Sequence, residues 1–86
     1  MAKYRVFIKR SAQKEIRDLP TKKTRRAVVA RIQALADDPR PHGCTKLTGA
    51  DKYRIRQGTY RILYTIDDDS IVVSVVRVAH RSAAYR

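Results

Sequence analysis

The sequence contains one cysteine, no tryptophan, one phenylalanine, three glycines and three prolines among its 86 residues, and only eight acidic side chains. A lone cysteine, Cys44, excludes an internal disulfide and cannot by itself form a metal site. No apolar run approaches the roughly 20 residues of a membrane span. The amino-terminal MAKYRVFIKR has no apolar stretch of signal-peptide length, so export is not expected and a reducing cytoplasm fits best. There is no glycine-rich phosphate loop, no His/Cys cluster with metal spacing and no serine set in a nucleophile turn, so no cofactor or metal is expected. The carboxylates are spread through turns and helix ends, which argues against a paired acid–base site. No repeat, low-complexity stretch or linker divides the chain, and residues 1–86 are expected to form one domain.

Positive charge fills the space left by the acids. Twenty Lys and Arg give a net charge of +12, which draws polyanions to so small a domain. Nucleic acid is the first partner this suggests, an anionic membrane the second and an acidic protein the third. Hydrophobic residues make up 43% of the chain, enough for one core, and that excludes a disordered basic arm. Arg56 through Tyr64 contains no acid, and none follows Asp69, whereas Asp67, Asp68 and Asp69 share one apparent turn.

Periodicity sets out the elements. Tyr4, Val6 and Ile8 alternate with Arg5 and Phe7, which reads as a strand. Ser11 is positioned to cap a first helix carrying Ala12, Ile16 and Leu19. Pro20 and Thr21 break it and open a second, lined by Val28, Ile32 and Leu35 and ending before Pro39. Residues 39–51 form a loop with Leu47 as its expected anchor. Period two then returns in Tyr53–Arg56, turns at Gln57-Gly58-Thr59, and continues through Tyr60, Ile62, Tyr64 and Ile66. Ile71 to Val78 is apolar on both faces apart from Ser74 and Arg77, as in a central strand. The expected fold is α+β, with an amino-terminal strand, a two-helix hairpin and a three-stranded antiparallel meander whose sheet the helices cover.

The chemistry available is that of Arg, Lys, Tyr and two histidines, which suits phosphate groups handled by positioning and charge stabilisation. Arg54 and Arg56 leave the same face of one strand, about 7 Å apart, and Lys52 precedes them at the same spacing. Arg61 begins the next strand across a short turn. The last strand delivers His80, Arg81 and Tyr85 to the same end of the sheet, adding an imidazole and a phenol to the guanidinium groups. His42 and Cys44 read as loop residues without a role.

The segment GTYRILYTIDDDSIVVSVVRVAHRSAAYR, together with the opening strand, the helical hairpin ending at Asp38-Pro39 and the Lys46-Leu47 pair, resembles the RelE branch of the RelE/ParE toxin superfamily over nearly the whole chain. The resemblance implies a type II toxin that enters the ribosomal A site and cuts messenger RNA without a metal, the ribose 2′-hydroxyl attacking the adjacent phosphate. It also implies a partner, an acidic RelB-like antitoxin that wraps the toxin in a hetero-oligomer. By position, Arg61 and Arg81 match arginines that stabilise the scissile phosphate. Arg54 and Arg56 fall where other members carry lysines, and Tyr85 resembles a terminal tyrosine that stacks on, or helps activate, the nucleotide. Arginine is a poor proton carrier near neutral pH, so His80 is the candidate general acid or base.

Blander readings stand beside these. His80 suits an ordinary strand end, and Arg54 and Arg56 suit an electrostatic footprint for ribosomal RNA. Tyr53, Tyr60 and Tyr64 alternate with isoleucine as core residues do. The basic run from Lys22 to Arg31 suits a solvated helix face. The rival functions are a ParE-like toxin that binds DNA gyrase without cutting RNA, and a plain RNA-binding module.

Overall fold

The computed structural model describes residues 3–49 and 51–82. The chain forms β1 (Arg5–Ile8), α1 (Arg10–Arg17), α2 (Lys22–Ala34), β2 (Thr45–Lys46), β3 (Tyr53–Gln57), β4 (Tyr60–Asp67) and β5 (Val72–His80). All five strands join one sheet in the order β1-β5-β4-β3-β2. The expected meander is β3-β4-β5, and β1 lies parallel to β5, which becomes a central strand with neighbours on both sides. The α+β class is as expected. The sheet gains one strand over the sequence reading because Thr45 and Lys46, inside the supposed loop, pair with Arg54 and Tyr53.

Two local details depart from expectation. Ser11 does not cap α1. The Lys9 amide still pairs with the Val75 carbonyl at 2.9 Å, so the chain passes straight from β1 into a helix beginning at Arg10. Thr21 does cap α2, its hydroxyl accepting the Thr24 amide at 3.0 Å. Nor is Leu47 the loop's anchor, since it is not among the residues packed against the core. Cys44 packs against the core instead, and the Tyr64 hydroxyl donates to the Pro39 carbonyl at 2.8 Å with the Cys44 Sγ 3.2 Å away.

Helix residues Ala12, Ile16, Val28 and Ile32, with Leu19 and Leu35 just beyond the helix ends, pack on Ile55, Ile62, Tyr64, Val73, Val75 and Val78. Burying one such aliphatic side chain contributes about 1.5–3 kcal/mol, so this single layer carries most of the stability. A register shift between Leu63 and Tyr64 leaves Val76 as an extra residue, a bulge that keeps Val75 and Val78 both on the helix-covered face. Beyond Ile8, β1 no longer flanks β5. Glu15 of α1 takes its place there, accepting the Val78 amide at 2.9 Å and standing 3.6 Å from the Arg77 Nε.

At the opposite end, Arg40 grips Asp68 with both terminal guanidinium nitrogens, at 3.1 and 2.9 Å, and the Tyr4 hydroxyl donates to the same carboxylate at 2.7 Å. The hydrogen bonds from Arg40 and then Tyr4 hold the Asp68 carboxyl down at about 2. A carboxylate depressed in the folded state contributes stability above its unfolded value, near 4, and that contribution is lost as pH falls through the folded value. Acid titration of the wild type should therefore show a component of destabilisation between about pH 4 and 2. Asp68→Asn should lack that component; equal acid profiles for the two proteins would remove this ion pair from the account.

Ile71, in the turn that follows, has a φ of +56°. A β-branched residue in the left-handed region costs about 1–2 kcal/mol. Ile71 is 37% exposed, so burial of its side chain offsets only part of that cost. Ile71→Asn should raise the unfolding free energy by about 1 kcal/mol, read from a shift in the urea midpoint at unchanged slope. A lower midpoint would mean the isoleucine side chain outweighs the strain.

Candidate nucleic-acid interface

The helices leave the other face of the sheet open, and strand register decides which side chains stand on it. Arg54 pairs with Leu63, Arg56 with Arg61, Arg61 with Ala79, and Leu63 with Arg77. Directly paired residues share a face, with Cβ atoms about 4.5–5.5 Å apart. Arg54, Arg56 and Arg61 thus form one patch on β3 and β4, opposite the core face of Ile55 and Ile62. Leu63 is buried on this open face rather than in the core cluster. It is flanked in register by Arg54 and Arg77, and arginine stems cover apolar neighbours while keeping their heads outward.

Arg61 is the centre of the patch. Its Nε is shielded from solvent and has no hydrogen-bond partner among the described residues. Desolvation first, then the nearby charges of Arg56, Arg54 and Arg81, push its guanidinium pKa down. Arg81 therefore joins the patch electrostatically, and its backbone amide, bonded to the Thr59 carbonyl at 2.8 Å, ties the end of β5 to the β3–β4 turn. Like charges crowded this closely favour an anion in their midst. Lys52, exposed and one residue before β3, extends the strand's outward row, and its carbonyl accepts the Leu47 amide at 2.8 Å.

His80 is placed differently. It pairs with Tyr60, on the parity of Ile62 and Val78, and its ring meets the Tyr60 ring edge-on with centroids 5.6 Å apart. The sequence reading ended the last strand at Val78 and gathered His80 and Arg81 on one basic surface at that end of the sheet. The strand instead continues through His80, and consecutive residues of an extended chain point to opposite faces. The register therefore sets His80 back to back with the arginine patch. The His80 Nδ1 accepts the Ser82 amide at 3.3 Å and lies 3.0 Å from the Ser82 hydroxyl, which leaves Nε2 to carry the proton of the neutral ring. Tyr85 lies outside the described residues.

The sequence reading missed two contributors, Glu15 and Arg77. Both lie at β5, where α1 replaces β1, and their relation is a long-range one that no local spacing signals. Among the described residues no helix is long and apolar enough to cross a membrane, and no three metal-ligating side chains cluster.

A family model described as the ParE toxin of type II toxin–antitoxin systems, parDE, matches residues 6–85. Toxin RelE of Mycobacterium tuberculosis is 31% identical over 84 residues, covering 96% of this chain and 87% of that toxin. Toxin RelG of the same organism is 49% identical over 37 residues, 43% of this chain and 42% of that one. Among solved structures, a chain of the M. tuberculosis toxin–antitoxin complex RelBE2 superposes with a TM-score of 0.81 at 33% identity, over 92% of this chain and 99% of that chain. A family match spanning almost the whole sequence, an end-to-end relative and a shared fold agree, and the chain belongs to the RelE/ParE superfamily of type II toxins, in its RelE branch.

Proposed function

We propose that this protein is a ribosome-dependent endoribonuclease that works in the cytoplasm, cutting messenger RNA in the A site and so stopping translation. The observation that carries this reading is the crowded guanidinium patch around the half-buried Arg61, whose Nε has no hydrogen-bond partner among the described residues. A scissile phosphate placed there gains charge as it becomes a five-coordinate phosphorane, and preformed cations stabilise that state more than the ground state. The 2′-hydroxyl oxygen bonds to phosphorus while the bond to the 5′ oxygen breaks, giving a 2′,3′-cyclic phosphate and a 5′-hydroxyl end. One proton leaves the nucleophile and one reaches the leaving oxygen.

In this reading Arg61 and Arg81 hold the scissile phosphate, Arg54, Arg56 and Lys52 hold the flanking backbone, and Tyr85 meets a neighbouring base. His80 carries the imidazole at this strand end, the kind of side chain suited to moving a proton. Its proton-transfer role requires the RNA to straddle the strand end and reach both faces. The charge of +12 calls for an acidic partner when the toxin is silent, and the M. tuberculosis relative was solved with its antitoxin; a RelB-like antitoxin in a hetero-oligomer is the matching assignment here.

Primer extension on a message in translating ribosomes tests the reading. New 5′-hydroxyl ends within the A-site codon, dependent on both ribosomes and toxin, are expected. The family model's ParE description favours a second reading, inhibition of DNA gyrase. Intact transcripts alongside arrested supercoiling would establish that one instead.

A further inference from the structure

We infer that the cleft between the start of α2 and the β3–β4 turn is a second RNA subsite, holding one unpaired base of the strand whose phosphate lies on the arginine face. The inference rests on the nuclease reading and extends it to the opposite side of the same hairpin. The cleft has a volume of about 250 Å3 and is lined by Lys23, Thr24 and Ala27 of α2 and by Gln57, Gly58, Thr59 and Tyr60 of the turn. Drug-sized ligands occupy roughly 300–1,000 Å3, so this space suits one planar base rather than a larger molecule. No acid lines it. Lys23 supplies a cation for the adjoining phosphate, while the Gln57 amide and Thr24 hydroxyl can each donate and accept towards a base edge.

Position makes the cleft part of the same path. Arg56 and Arg61 are paired one step before the turn, and Arg81 is bonded to the turn at Thr59. A strand leaving the arginine patch at this end passes over Gly58, whose φ of +60° and empty surroundings give a bare, low turn. It then meets Tyr60 and, edge-on to it, the exposed ring of His80. Two aromatic rings at right angles offer one face and one edge to a base, and stacking of this kind is tolerant of sequence. On this account the parity that turns His80 away from Arg61 serves the neighbouring nucleotide. The base comes either from the message or from ribosomal RNA.

The test is fluorescence anisotropy with a short labelled single-stranded RNA carrying 2′-O-methyl ribose, which binds without being cut. Lys23→Ala with Gln57→Ala, and separately His80→Ala, alter exposed or half-exposed side chains and should keep the parent circular dichroism. Each should weaken binding about fivefold, the lower end of what one stacked base contributes. A 4-thiouridine in the RNA should crosslink to Tyr60 or His80. Anisotropy on message-free ribosomes is the second arm, and the same loss there alone assigns the base to ribosomal RNA. If Arg61→Ala weakens binding while the cleft variants bind as the parent does in both arms, the subsite is refuted and the nuclease reading stands. If Arg61→Ala also binds as the parent does, the arginine patch itself loses its assignment.

Discussion

Arg61→Leu should lower the rate of message cleavage about 10²–10³-fold, the usual loss when one preformed donor to a developing oxyanion is removed. Its melting temperature should stay level or rise. The guanidinium is partly desolvated at Nε and stands near the charges of Arg56, Arg54 and Arg81, so its charge opposes folding until an anion arrives. Leucine keeps the stem's packing beside the sheet and removes that charge. Opposite movements of activity and stability are what a site built for a ligand predicts, because the groups that bind the transition state are mutually strained without it. Arg81→Ala should behave alike in activity and leave antitoxin binding largely intact. A variant that loses stability yet cuts at the parent rate would show Arg61 to be structural.

Tyr64→Phe should cost about 1–3 kcal/mol, the penalty for leaving a buried carbonyl without its donor. Tyr64 is fully buried, and its hydroxyl donates to Pro39 at 2.8 Å, the contact that pins the loop between α2 and β2 to the sheet. Burial is the main influence raising the phenol's pKa, with the Cys44 contact next, so the hydroxyl stays protonated and a donor. The same loop carries Arg40, which grips Asp68 and stands over the Tyr53 ring at 5.3 Å. In a domain of this size each kcal/mol shifts the melting temperature by roughly 4–8 °C. Calorimetry checks this, and a change under about 0.5 kcal/mol, the scale of a neutral surface substitution, would mean that water or the Cys44 thiol satisfies Pro39 in its place. Cleavage by the folded variant should be unchanged, since Tyr64 lies in the core cluster under the helices, on the side of the sheet away from the arginine face.

The contrast between the two predictions reflects what sequence can and cannot encode locally. The register that puts Arg61 on the face of Arg54 and Arg56 came from the ladder. Alternation in Tyr53 to Ile66 is a local property, however, so the shared face of those two arginines and the nearness of Arg61 across a short turn could be read from the sequence. The same holds for α2, where Thr21 and the Val28, Ile32 and Leu35 stripe fix both the start and the buried face. His80 shows where that reasoning fell short. Apolar residues end at Val78 and Ala79, but the ladder to β4 carries the strand on to His80, and a single extra residue reverses the facing side. The Val76 bulge has the same effect on phase within β5, and nothing in the run VVSVVRVAH marks which residue is the extra one. Glu15 at the β5 margin, the Arg40–Asp68 grip and the parallel pairing of β1 are contacts between distant segments, and composition does not announce them.

The account depends most on the convergence of guanidinium groups on one phosphate. A crystal structure of the protein with a 2′-O-methyl RNA fragment measures this directly. It should show one phosphate within about 2.7–2.9 Å of guanidinium nitrogens from both Arg61 and Arg81, with Arg54 and Arg56 on its neighbours. RNA held wholly along α2, with water at Arg61, would contradict the account.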